Sequence, residues 1–62
     1  MITEFIAKHG LRYRFNNLFI NDRFRIWLDD KITIYYQSKL IYQSSGLSEQ
    51  ELKDADLAME GI

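Results

Sequence analysis

The chain has 62 residues, of which 47% are hydrophobic and 27% charged, and this composition is typical of one small globular domain spanning residues 1–62. It contains no cysteine and a single histidine, so no disulfide, metal site or cofactor is expected. No apolar run approaches ~18 residues, and no basic segment precedes an apolar one at the start. We therefore expect a cytoplasmic protein that does not enter a membrane.

The small size predicts a monomer of marginal stability. At this mass, folding reduces the exposed surface from roughly 10,700 Å² to roughly 4,200 Å². If about 60% of the buried area is apolar, burial contributes roughly 95–100 kcal/mol. Ordering the chain costs roughly 93 kcal/mol. These two terms nearly cancel, and a chain without cysteine has no disulfide to add stability. We therefore expect self-association, most simply as a two-fold homodimer.

The first predicted element is a short helix. Thr3 is its expected N-cap, and Glu4 and Lys8 are placed to match the helix dipole and to pair with each other. Gly10 marks the end of the helix, because glycine adopts positive φ at little cost.

An antiparallel meander follows. Residues 11–15 alternate between apolar side chains and arginine, which predicts a strand with positions 11, 13 and 15 on one face. The pairs at 16–17 and 21–22 are typical of turns. The apolar run between them, residues 18–20, either extends the first strand or forms a separate one.

The next two strands form a hairpin whose register the sequence predicts. Residues 24–28 and 32–36 both alternate, and a three-residue loop at 29–31 would pair Leu28 with Ile32 and keep all the aliphatic positions on one face. A two-residue loop would scramble the faces. A further strand is expected at 40–43, after a turn around residues 38–39.

The last element is a helix that starts with a capping box formed by Ser48 and Glu51. The fold class is therefore α+β: a short N-terminal helix, an antiparallel meander of three to four strands, and a C-terminal helix packed on one sheet face. This element order resembles, in shape alone, small inhibitor proteins encoded by phages. Because one fold hosts many functions, the resemblance implies no particular partner.

Catalytic signatures are missing from the sequence. His9 is the only imidazole, Ser44 and Ser45 lie in a turn, and the adjacent carboxylates Asp29 and Asp30 should point apart. The acidic residues of the last helix do not follow calcium-loop spacing. We therefore expect a protein that is not an enzyme.

Charge is segregated along the chain. From Lys8 to Lys39, seven cations and three anions give a net charge of +4. From Ser44 onward, one cation and five anions give −4. The sheet is thus basic and the last helix acidic, and each can meet the other or an outside partner.

If the aliphatic residues of the hairpin point inward, Trp27, Thr33 and Tyr35 point outward beside Arg25, and Leu40 and Tyr42 join them in some registers. Such a patch favours an interface over simple cross-strand pairing. On the last helix, Leu57 is the one large apolar residue away from the apolar stripe. The residues expected at a partner or dimer interface are Arg25, Trp27, Tyr35, Tyr42 and Leu57.

Two functions follow from these patterns. The favoured one is a small interaction module that binds another macromolecule, most simply a protein, and self-associates through its sheet as a homodimer. The alternative is a nucleic-acid-binding regulator, because arginines interleaved with aromatic residues on an open sheet bind single strands. The arginines expected to contact nucleic acid are Arg12, Arg14, Arg23 and Arg25.

Overall fold

The computed structural model describes residues 1–62 as one antiparallel sheet with a helix before it and a helix after it. The elements are α1 (Ile2–Lys8), β1 (Arg12–Phe15), β2 (Leu18–Ile20), β3 (Phe24–Leu28), β4 (Ile32–Tyr36), β5 (Lys39–Gln43) and α2 (Glu49–Glu60). The strands lie side by side in chain order. The α+β class is confirmed, but the sheet has five strands instead of three to four.

The additional strand is β2, and turns on both sides of it explain why it is separate. Asn16 and Asn17 have φ of 48° and 63°, so they form a two-residue hairpin turn whose twist suits the flanking strands. After β2, the side-chain oxygen of Asn21 accepts hydrogen bonds from the amides of Arg23 and Phe24 at 2.8 and 2.7 Å. Two reversals this close together leave a strand of three residues.

The predicted register of the central hairpin is confirmed. Leu28 lies opposite Ile32, and Ile26 lies opposite Ile34, as the three-residue loop requires. Ile26, Ile32 and Ile34 have no exposed surface. They are the centre of a core in which Phe5 of α1 and the apolar stripe of α2 pack on the same sheet face.

Two bulges redirect side chains that simple alternation would place elsewhere. In β1, Tyr13 pairs with Phe19 but Phe15 pairs with Leu18, so Arg14 is an extra residue. Since Leu18 and Phe19 point to opposite faces, Tyr13 and Phe15 do as well. The prediction that positions 13 and 15 share a face is therefore wrong.

The second bulge lies between β4 and β5. Ile34 pairs with Tyr42, whereas Tyr35 pairs with Leu40, which makes Ile41 the extra residue. Tyr42 therefore shares the helix-covered face with Ile34, and Leu40 lies on the opposite face with Tyr35. The register that would have placed Tyr42 beside Trp27 is not the one adopted.

The helix boundaries are partly as predicted. α2 begins at Glu49 with the predicted N-cap Ser48, whose side chain accepts a hydrogen bond from the Glu51 amide at 3.2 Å. α1 begins earlier than predicted, with Met1 as N-cap and Thr3 inside the helix, and the exposed Met1 amino group pairs with Glu4 at 3.2 Å. Gly10 has φ of +62°, as its place at the end of α1 requires. Neither helix has the length and apolar character needed to span a membrane.

Candidate interaction surface

One sheet face carries both helices, and we call the other the uncovered face. Ladder pairing arranges its side chains in two rows across the strands. One row is Arg12, Ile20, Arg25, Tyr35 and Leu40, and the other is Phe15, Leu18, Trp27, Thr33 and Gln43. Arg14, at the bulge of β1, lines the same cleft as Phe15, Leu18 and Trp27.

The uncovered face has a small apolar cluster of its own. Leu18 is only 8% exposed, yet it is the one buried residue that lies outside the main core. Its neighbours are Phe15 and Trp27, the residues opposite it on β1 and β3. Phe15 remains 54% exposed and Leu40 46% exposed. An apolar surface of this kind, with no second layer over it, is typical of an interaction site.

The aromatic residues of this face contact each other. The rings of Trp27 and Tyr35 meet edge to face, with centroids 5.7 Å apart. Arg25 lines a cleft with both of them. The structure therefore brings together three of the five predicted interface residues: Arg25, Trp27 and Tyr35.

The charge of the uncovered face is positive and unpaired. Arg12, Arg14 and Arg25 make no ion pair within the chain, and none of their neighbours in the two rows is acidic. Guanidinium groups next to aromatic and aliphatic side chains suit carboxylates, phosphates or aromatic rings of a partner.

Arg23, the fourth predicted arginine, is used differently. Its guanidinium lies over the rings of Phe24 and Tyr36, at 5.2 and 5.6 Å from their centroids. It also donates a hydrogen bond to the Ile62 carbonyl at 3.1 Å. Arg23 therefore connects the hairpin to the end of the chain, at the edge of the uncovered face, where it lines a cleft with Arg25 and Tyr35.

Tyr42 is also separated from Trp27 and Tyr35. Its hydroxyl donates to the Glu51 carbonyl at 3.3 Å, and it packs against the main core. Burial, together with the charges of Asp54 and Glu51, raises the pKa of the Tyr42 hydroxyl. The contact with Glu51 gives Tyr42 a role in attaching α2 to the sheet.

Leu57 lies on a second surface. It is 66% exposed, and at 100° per residue it lies on the opposite side of α2 from Leu52, Ala55 and Met59, the buried residues of that helix. Because α2 packs on the helix-covered face, Leu57 points away from the sheet. The five predicted interface residues are thus distributed over three places.

His9 joins the two helices. Its Nε2 lies 2.6 Å from a carboxylate oxygen of Asp56, and the Lys8 ammonium bonds the other oxygen at 2.5 Å. Burial disfavours the ionised form of Asp56, but the bonds from Lys8 and His9 outweigh it and lower its pKa. Lys8 also bonds a carboxylate oxygen of Glu60 at 3.2 Å, and its bonds to Asp56 and Glu60 raise the pKa of Lys8. No hydroxyl nucleophile takes part in this cluster.

The serine-rich turn before α2 is organised by Glu51. Its carboxylate accepts hydrogen bonds from the amide and hydroxyl groups of both Ser45 and Ser48, and from the Gly46 amide. The bonds from Ser48 and then Ser45 lower the pKa of Glu51 to about 2. Ser44 accepts from the Ile32 amide and donates to the Gly46 carbonyl. The three serine side chains and the Glu51 carboxylate thus stabilise the turn through hydrogen bonds.

No group of three or more acidic or histidine side chains converges as a metal site would. Comparison of the chain with protein-family models, with curated proteins and with solved structures finds no match.

Sequence reasoning missed Phe15, Leu18 and Ile20 as members of the uncovered face. A signal was present, because a three-residue apolar run between two turn pairs is long enough for one short strand. The bulge at Arg14, which moves Phe15 to this face, has no comparable signal in the sequence.

Proposed function

We propose that this chain is a small, non-enzymatic interaction module that binds protein, including copies of itself, through the uncovered face. The observation that supports it best is Leu18, which is buried among apolar neighbours on a sheet face that has no second layer. A partner placed over Phe15, Leu18 and Trp27 would complete this cluster as the helices complete the main core. The expected marginal stability of a 62-residue monomer favours such an arrangement.

The test is mass as a function of concentration. Light scattering from about 5 μM to about 500 μM should show the wild type rising above the monomer mass, with a Kd in the micromolar range expected of a small interface. Trp27→Ala should weaken the association at least about tenfold, since tryptophan is a common anchor. Trp27 is the only tryptophan, so its emission should shift to the blue as mass increases.

Tyr13→Ala is the matched control. Tyr13 is 60% exposed and meets Phe19 edge to face, with centroids 5.4 Å apart, but it lies on the helix-covered face. Its loss should leave the association unchanged. A wild type that stays monomeric throughout, or a Tyr13 variant as impaired as the Trp27 variant, would contradict self-association through this face.

A second function, the binding of single-stranded nucleic acid, is favoured because the unpaired Arg12, Arg14 and Arg25 lie on the same sheet face as Phe15, Trp27 and Tyr35. It receives less support because Leu18, Ile20 and Leu40 offer no surface for stacking, and because Trp27 and Tyr35 contact each other. Binding of a fluorescent oligothymidine would test it. Three phosphate contacts predict a log–log salt slope of about −2. No binding at low salt would exclude this alternative.

A further inference from the structure

The face of α2 that points away from the sheet has the opposite character to the uncovered face. Leu57 stands at its centre, and at 100° per residue the exposed side chains of Glu49, Asp54 and Glu60 lie within about 80° of it. Lys53 is the only cation there. Glu49 and Asp54 make no ion pair within the chain. We call this surface the outer face of α2.

From this complementarity we propose that the uncovered face of one copy receives the outer face of α2 from a second copy. The proposal rests on the proposed function and names its partner. Leu57 would fill the apolar cleft lined by Phe15, Leu18 and Trp27, where it would be removed from water. Arg14 and Arg25, which line that cleft, would meet the carboxylates that flank Leu57.

Charge argues against the simpler pairing of two uncovered faces. That arrangement would bring Arg12, Arg14 and Arg25 of both copies together with no carboxylate in either pair of rows. Like charges placed opposite each other in an interface oppose association. Pairing with α2 brings unpaired arginines to unpaired carboxylates.

The dimensions agree with this contact. Five strands at about 4.8 Å spacing make the sheet roughly 19 Å wide. A helix of 12 residues is about 18 Å long, so α2 can lie across all five strands. Because a single helix of 12 residues presents only a small surface, we expect a weak association with a Kd in the micromolar range.

The geometry also makes the assembly directional. The outer face of α2 and the uncovered face lie on opposite sides of the molecule, so each copy can receive one neighbour and be received by another. Such a heterologous contact builds chains or rings, whereas a two-fold contact stops at a dimer. The mass of the wild type should therefore keep rising with concentration beyond that of two chains.

Two variants that block one surface each provide the decisive experiment. Leu57→Asp removes the apolar contact of α2, and Arg25→Glu reverses the charge at the centre of the uncovered face. Both positions are exposed, so both variants should fold, as circular dichroism and melting curves would show. Each alone should associate at least about tenfold more weakly than the wild type, so that its mass at a given concentration stays closer to that of one chain.

Mixed together, the two variants should form a complex of two chains and no larger species. The mixture contains one intact uncovered face, on Leu57→Asp, and one intact outer face of α2, on Arg25→Glu. Lys31→Glu makes the same charge change in the exposed β3–β4 turn and should assemble like the wild type. Trp27→Ala repeats the block on the uncovered face without a charge change.

The outcomes separate this inference from the proposed function. A Leu57→Asp variant that still associates as the wild type does, while Trp27→Ala and Arg25→Glu fail, would overturn the role of α2 and leave the uncovered face as a binding surface. Variants of the uncovered face that associate normally would overturn both. A monomeric wild type, or a mixture that stays monomeric, would also overturn this inference.

Discussion

The indole of Trp27 and the ring of Tyr35 meet edge to face across β3 and β4, with a centroid separation of 5.7 Å and an interplanar angle of 79°. They are diagonal neighbours, since Trp27 pairs with Thr33 and Tyr35 pairs with Arg25. We therefore expect Trp27 to stabilise the monomer in addition to its proposed role in binding a partner. These two contributions can be measured separately.

The aromatic pair should contribute to the free energy of unfolding of the monomer. Urea unfolding at low protein concentration of Trp27→Ala, Tyr35→Ala and the double variant should show a coupling of about 0.5–1.5 kcal/mol. Additive effects would mean that the rings do not stabilise each other. The low concentration keeps self-association out of the measurement.

Ser48 should be needed for the start of α2. Its hydroxyl accepts from the Glu51 amide and donates to the Glu51 carboxylate, so Ser48→Ala should lower the free energy of unfolding by about 1 kcal/mol. Thr3→Ala is the control, because Thr3 lies within α1 and caps nothing. Thermal melts of both variants check this, and a larger loss for Thr3→Ala would contradict the observed start of α1.

Acid should weaken the turn before α2. The pKa of Glu51 is lowered to about 2 in the folded chain, so the ionised form is favoured by folding. Its contribution to stability is complete above the unfolded-state pKa, about 4.5. That contribution is then lost as the pH falls toward 2.

Glu51→Gln provides the comparison for this pH dependence. Melting temperatures of wild type and variant should differ most at neutral pH and converge between about pH 4.5 and pH 2. A difference that stays constant over this range would mean that the Glu51 charge does not stabilise the turn. Asp56, whose pKa is also lowered, should give part of the acid sensitivity that remains in the variant.

The β4–β5 turn should be open to improvement. Gln37 and Ser38 have φ of 51° and 67°, a left-handed conformation that costs residues with a Cβ roughly 1–2 kcal/mol each. Replacing the pair by Asn-Gly, the preferred sequence for this turn, should raise the free energy of unfolding by about 1 kcal/mol. Urea unfolding measures this change in the free energy of unfolding. If Asn-Gly at 37–38 destabilised the chain, the turn conformation would not be the one observed.

Gly10 provides the reverse test of the same conformation. It has φ of +62°, and the space that a Cβ would occupy there is open, so Gly10→Ala should destabilise through backbone strain alone. If Gly10→Ala were neutral, the positive φ at the end of α1 would be in doubt.

Local patterns in the sequence determined much of the fold. Period-two alternation and a three-residue loop were enough to predict that Ile26 faces Ile34, because a shift by one residue would expose every aliphatic side chain. The capping box at Ser48 predicted the start of α2, since its hydrogen bonds join residues three apart. In the candidate site, the same alternation predicted that Arg25, Trp27 and Tyr35 share one sheet face.

Tertiary structure decided the rest of the site. The bulges at Arg14 and Ile41 separate residues that alternation would keep together, so that Phe15 and Leu40 lie on the uncovered face while Tyr13 and Tyr42 lie on the helix-covered face. A bulge depends on how a strand fits its neighbour, and alternation within one strand does not record that fit. Arg23 likewise differs from the other predicted arginines, because its guanidinium contacts Tyr36 and Ile62, both of which are distant in sequence. Local periodicity therefore determined which face each central strand buries, and packing between distant segments decided which side chains remain together on the other.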